Sequence, residues 1–121
     1  MDYQFPFEKL KVWQQAKQFS LDIYDATKEF PGEEKFGIVS QIRRAAISIP
    51  SNIAEGTARQ SRKDQAHYSQ IAYSSLMEVV CQLDIATELK FMESEYFETL
   101  RKKAADLSYM INALYKSQKQ D

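Results

Sequence analysis

The chain has 121 residues, 44% of them hydrophobic and 27% charged, with a formal net charge of -1. That length fits one domain, the apolar share is enough for a core, and the near-zero balance gives no global sign of nucleic-acid binding. Three glycines and three prolines leave room for long helices rather than a many-turned sheet. No uncharged apolar run approaches the roughly 18 residues of a membrane span. The start, MDYQFPFEKL, lacks a basic region followed by an apolar one. The expectation is a soluble, cytoplasmic, single-domain protein spanning residues 1–121.

A first helix is expected over residues 7–29. Leu10, Trp13, Ala16, Phe19, Ile23 and Ala26 recur at steps of three or four, which is one apolar stripe. Pro6 suits a helix start, where its missing N–H costs nothing. Phe30-Pro31-Gly32 ends the helix, because Pro31 disfavours helical Phe30.

A second helix is expected over residues 34–59, with Ile38, Ile42, Ala45, Ile49 and Ile53 as its stripe. Pro50 falls inside it, where proline removes a hydrogen bond at a cost of about 3 kcal/mol. The apolar rhythm continues across Pro50, which favours a kinked but continuing helix. Asn52-Ile53-Ala54-Glu55 has capping-box spacing, the signal for a break and restart instead. Gly56 either ends this helix or admits a close neighbour.

Ser61 is the expected N-cap of a third helix over residues 62–90, with Asp64 three residues on. Its stripe is Tyr68, Ile71, Ala72, Ser75, Leu76, Val79, Leu83, Ala86 and Leu89. Ser94 begins or caps a fourth helix over residues 94–116, with Phe97, Leu100, Ala104, Leu107, Ile111 and Leu114 facing inward, and residues 117–121 are expected to fray. The fold class is therefore all-α, an antiparallel up-down-up-down four-helix bundle. Ten aromatic rings, Tyr3, Phe5, Phe7, Tyr24, Phe36, Tyr68, Tyr73, Tyr96, Tyr109 and Tyr115, exceed what so slender a core holds. Aromatic rings at a half-dry surface point to a homo-oligomer.

Catalytic chemistry is hard to find. His67 is the single histidine, the residue three before it is Asp64, and a carboxylate-bundle metal site needs two Glu-x-x-His pairs. No phosphate-loop, zinc-protease or C-x-x-C motif is present. Cys81, the one cysteine, sits in an apolar run and is expected to be a buried thiol. No catalytic residue, metal or cofactor is assigned, and the chain reads as a non-enzyme. An enzyme would require a concave pocket with a displaced pKa.

Charge patterning says more. Between residues 40 and 63 the bases are Arg43, Arg44, Arg59, Arg62 and Lys63, and the lone acid is Glu55. Arg59, Arg62 and Lys63 gather at one helix junction and are the candidate phosphate contacts. The competing reading is a solvated face that balances the acids of residues 93–98. A second cluster, Arg101-Lys102-Lys103, is spread around its helix axis and reads as a wet face.

Four stretches, residues 7–16, 30–37, 41–56 and 73–78, carry a family resemblance. The most specific is Arg43-Arg44-Ala45-x-x-Ser48-Ile49-Pro50-x-Asn52-Ile53-Ala54-Glu55-Gly56. The chain resembles the four-helix bundle proteins encoded in intervening sequences of bacterial 23S ribosomal RNA genes. The resemblance extends to a related group, the accessory proteins of diversity-generating retroelements. The resemblance implies a four-helix bundle and assembly into a ring of five. For the retroelement relatives it implies binding of nucleic acid and of a reverse transcriptase. Those relatives are markedly basic, whereas this chain is at -1. A structural explanation of the motif is a network in which Arg43 and Arg44 pair with Glu55 or Glu78 across helices and hold the kink at Pro50 in place, with Asn52 as the cap in the alternative of a restarted helix. Two functions follow: an oligomeric bundle that binds or scaffolds structured RNA or a nucleic-acid-processing protein, or a protein-binding, purely structural oligomer.

Overall fold

A computed structural model describes residues 3–119. Among them there is no strand. A short 3-10 turn, Pro6–Lys9, leads into α1 (Lys11–Thr27). A second 3-10 turn, Gly32–Glu34, precedes α2 (Ile38–Thr57), and α3 (Arg62–Glu88) and α4 (Ser94–Lys119) complete the chain. The expected first helix is thus divided, because Leu10 adopts an extended conformation with φ -77° and ψ 125°. The chain enters α1 through a hydrophobic corner in which Phe7 meets the Trp13 ring edge-on, 4.8 Å between centroids. At the far end α4 stays helical through Lys119, so Ser117 to Lys119 do not fray, and residues 120–121 lie outside the described part.

Each helix packs on its sequence neighbours, and α4 closes back on α1, while α1 and α3, like α2 and α4, do not approach one another. This is a four-helix bundle. The core consists of the inner stripes, with Ile23, Ile42, Ile49, Leu76, Leu83, Leu100 and Ile111 essentially inaccessible. The ten aromatics that exceed the core are indeed outside it: none is buried. Cys81 is exposed, contrary to expectation. It lies two residues from both Val79 and Leu83, about 200° around the helix from each, so an apolar neighbourhood in sequence is not one in space.

The register between helices is written in polar contacts. Arg43 reaches Thr27 and Ser20 reaches Ala46. Ser48 meets Ser75 and Gln82 meets Gln41. Rising numbers on one helix pair with falling numbers on the next.

Pro50 does not break α2, which runs through it to Thr57. The missing N–H of Pro50 would have bonded the carbonyl of Ala46. In its place the Ser20 hydroxyl of α1 donates to Ala46 O at 2.7 Å, its proton shared with Ala16 O at 3.1 Å. Ser20 is 3% exposed, so water could not serve this carbonyl instead. Asn52 is therefore not an N-cap. Its amide donates back to Ser48, to the carbonyl O at 2.8 Å and to Oγ at 2.9 Å.

Both ends of α3 are closed by specific bonds. The Ser61 hydroxyl accepts from the Asp64 backbone N–H and caps α3. Beyond α3, Phe91 N donates to Ala86 O and Lys90 N to Thr87 O, with Lys90 left-handed at φ 68°. That is a Schellman turn with lysine where glycine is usual.

Candidate functional site

The motif around Arg43 resolves into structural roles, with partners other than the acids expected. Arg43 Nε donates to Thr27 Oγ1 at 2.8 Å and Nη2 to the Tyr24 carbonyl at 3.2 Å, and its guanidinium lies 4.5 Å over the Tyr24 ring. The last carbonyls of a helix have no partners of their own, so Arg43 caps the end of α1 from α2. It pairs with neither Glu55 nor Glu78. Both acids are exposed, and Glu78 accepts instead from Gln82. Arg44 is exposed and makes no hydrogen bond or ion pair among the described residues. Gly56 is buried against α3. A Cβ there would lie 3.0 Å from Tyr68 Cβ and 3.4 Å from Gln65 O, so glycine sets how closely the two helices meet.

The three candidate phosphate contacts fall together at the α2–α3 junction, held in different ways. Arg59 lies 4.7 Å over the Tyr68 ring, with Nη2 donating to the Tyr68 hydroxyl at 2.5 Å. Arg62 Nη1 donates to the Ser117 carbonyl of α4 at 2.6 Å. Lys63 is exposed and makes no hydrogen bond or ion pair among the described residues. Sequence spacing could not show that the end of α4 brings Lys119 beside Arg62 and Lys63. The Arg62–Ser117 contact is what joins them.

The charge distribution along the bundle is polar. The end formed by the start of α1, the α2–α3 junction and the end of α4 holds Lys9, Lys11, Arg59, Arg62, Lys63, Lys116 and Lys119, against Glu8, Glu55 and Asp64. The other end gathers Glu29, Glu33, Glu34, Glu88, Glu93 and Glu95, against Lys28, Lys35 and Lys90, around the Phe30–Phe91 ring contact. A net charge of -1 therefore conceals two opposite poles. Opposed fields of this kind steer partners more than their sum suggests.

Between α3 and α4 near the basic end lies a trough in two parts. One, about 420 Å³, is lined by Arg62, Lys63, His67, Gln70, Tyr115, Gln118 and Lys119, with Ala66 as its floor. The other, about 670 Å³, shares His67, Gln70 and Tyr115 and continues to Tyr73, Ser74, Ile111 and Asn112. A smaller hollow of about 140 Å³ lies between α1 and α4, where Lys103 pairs with Asp22 at 3.0 Å. Of the second basic cluster, only Lys103 has an ion-pair partner among the described residues. Nearby, burial and then the carboxylates of Asp25 and Asp22 push the Tyr96 phenol above its usual pKa of 10.0, with Lys103 pulling the other way. His67 is exposed, touching Tyr68 edge-on. No group of three metal-ligating side chains exists among the described residues. No described helix is long and apolar enough to cross a membrane.

These features define an all-helical bundle with a cationic end. Residues 8–113 match the family model of the 23S rRNA-intervening sequence proteins, and the chain belongs to that family. A solved structure from Bacteroides thetaiotaomicron VPI-5482, a protein of unknown function from the S23 ribosomal protein family, has the same fold. It superposes with a TM-score of 0.80 at 24% identity, covering 87% of this chain and 98% of that one. Among curated proteins no sequence matches significantly.

Proposed function

We propose that this chain is a non-enzymatic, self-associating cytoplasmic bundle that binds or scaffolds structured RNA through its basic end. The observation that carries the reading is that Arg62 and Lys63 of the junction line one hollow with Lys119 of α4, beside the Arg62–Ser117 contact. Phosphates are held by such charge-assisted contacts. A ring of five copies, which the family resemblance implies, would repeat the patch and convert weak contacts into avidity.

The test is a titration against an RNA hairpin and a matched DNA duplex at several salt concentrations. Binding that weakens steeply with salt supports phosphate contacts, each worth about 0.7–0.9 in the log–log slope. Changing Arg59, Arg62 and Lys63 together to glutamine is expected to abolish most of it. Absence of binding even at low salt overturns the reading.

A second reading, a protein-binding oligomer without a nucleic-acid role, draws on a different observation. Tyr73, Met77, Ile85 and Leu89, 39–53% exposed, follow one another along α3 with Cys81 among them. An apolar run of that kind suits a protein surface.

A further inference from the structure

The trough between α3 and α4 has two chemically different halves, which meet where Gln70 Nε2 donates to the Tyr115 hydroxyl at 3.5 Å. Its outer half is cationic, with Lys63 and Lys119 on opposite walls and Arg62 held by Ser117. Its inner half is aromatic and amide-lined, with Tyr73 39% exposed and the Asn112 carboxamide making no hydrogen bond among the described residues. Tyr115 stands at the join, with Lys119 Nζ 5.7 Å over its ring. No acid lines either half. The α1–α4 hollow, by contrast, has Asp22 and Asp106 in its wall and would repel an anion.

The geometry points to a seat for a single unpaired nucleotide, with its phosphate between Lys63 and Lys119 and its base against Tyr115 and Tyr73 within reach of Asn112. This rests on the nucleic-acid reading above and adds the unit that is recognised. Lys119 and Tyr115 are one helical turn apart, about 6 Å along the axis, a span that places a base beside its own phosphate. Aromatic faces beside cations are the general means of holding unpaired bases, because every base has a π-face to stack. A duplex keeps its bases stacked inside and could offer the lysines only its backbone, leaving the aromatic half unused.

The experiment compares three probes of equal length against the full chain: a single-stranded RNA, the same strand made abasic, and a hairpin. AMP and ribose 5-phosphate serve as small counterparts. The base-bearing strand is expected to bind about tenfold tighter than the abasic one. Tyr115→Ala should erase that ratio while leaving the salt slope unchanged, and Tyr115→Phe, which keeps the ring, should preserve it. Tyr73→Ala should lower it independently, should Tyr115→Ala fail to fold. AMP binding without ribose 5-phosphate binding would support the seat with free nucleotide as its occupant. Strand binding without AMP binding would support it with a strand. Equal binding of base-bearing and abasic strands overturns the seat, and undiminished hairpin binding would then leave the broader reading intact. Silence from every probe overturns both. Tyrosine variants that change the oligomeric mass but not the base preference would make the trough a contact between copies and overturn the seat.

Discussion

The seams of α2 and those of α4 are built on different rules. Along α2, small residues and direct hydrogen bonds bring the neighbours close. Ser20 bonds the α2 backbone, Arg43 bonds the α1 backbone, Ser48 meets Ser75 at 2.7 Å, and Gly56 lies against Tyr68. Along α4 the direct bonds involve long side chains, Arg62 donating to the Ser117 carbonyl and Gln118 accepting from Ser69, both at 2.6 Å, and the three hollows described above lie beside it. The difference teaches that side-chain size at the contact decides whether a seam becomes core or becomes a place for something else. The motif that is most specific in sequence builds the closed side, while the open side carries the candidate chemistry.

The largest expected effect tests this directly. Leu76→Ala, at a fully buried site on α3, should lower stability by about 2–5 kcal/mol. Met110→Ala, beside the hollow between α1 and α4, should cost about 1 kcal/mol, since a half-open site has less packing to lose. Equal losses in urea titration would remove the distinction between the seams.

Next is Ser20→Ala. It leaves the Ala46 carbonyl buried without a partner, and such a group costs about 1–3 kcal/mol. If the carbonyl finds another donor, the variant will melt like the parent, and the account of how α2 tolerates Pro50 is wrong. Gly56→Ala is smaller. The helix gains about 1 kcal/mol from losing glycine, but crowding against Tyr68 costs about 1–3 kcal/mol, so a net loss of about 1 kcal/mol is expected. A net gain would show that α2 and α3 are free to separate.

The bundle itself was legible in the sequence, because apolar stripes at a 3.6-residue period survive into the structure, although Leu89, expected on the inner stripe of α3, lies past its end and is exposed. Chain ends and caps were less so. Leu10 departs from helix although it continues the stripe, since the corner around Phe7 and Trp13 is made by tertiary packing. The capping-box pattern at Asn52 competed with the continuing rhythm and lost, because Ser48 offers its amide a partner within the helix. Arg43 was recognised as a fixed point but assigned acids, whereas what it holds is the end of a neighbouring helix, a group with no sequence signature. For the site, the junction bases were visible, but their union with Lys119 and the tyrosine-lined trough depends on where α4 ends in space.

The smallest expected effect concerns Tyr96 on the α1–α4 seam. Its raised pKa means that the folded state holds the phenolic proton more firmly than the unfolded one. Its contribution to stability is complete below the unfolded pKa near 10 and is lost as pH rises through the folded value. The difference in alkaline absorbance between the protein and Tyr96→Phe should show one phenol titrating above pH 10. A midpoint at or below 10 would place Tyr96 in water, away from Asp25 and Asp22.

The exchange of bonds between α1 and α2 has a consequence for how the molecule opens. Each helix completes the other's backbone: α1 supplies the donor that Pro50 lacks, and α2 supplies the cap for the end of α1. Neither can detach without leaving the other with an unsatisfied group, so the pair constitutes one cooperative unit. In native-state hydrogen exchange its slow amides should be released together.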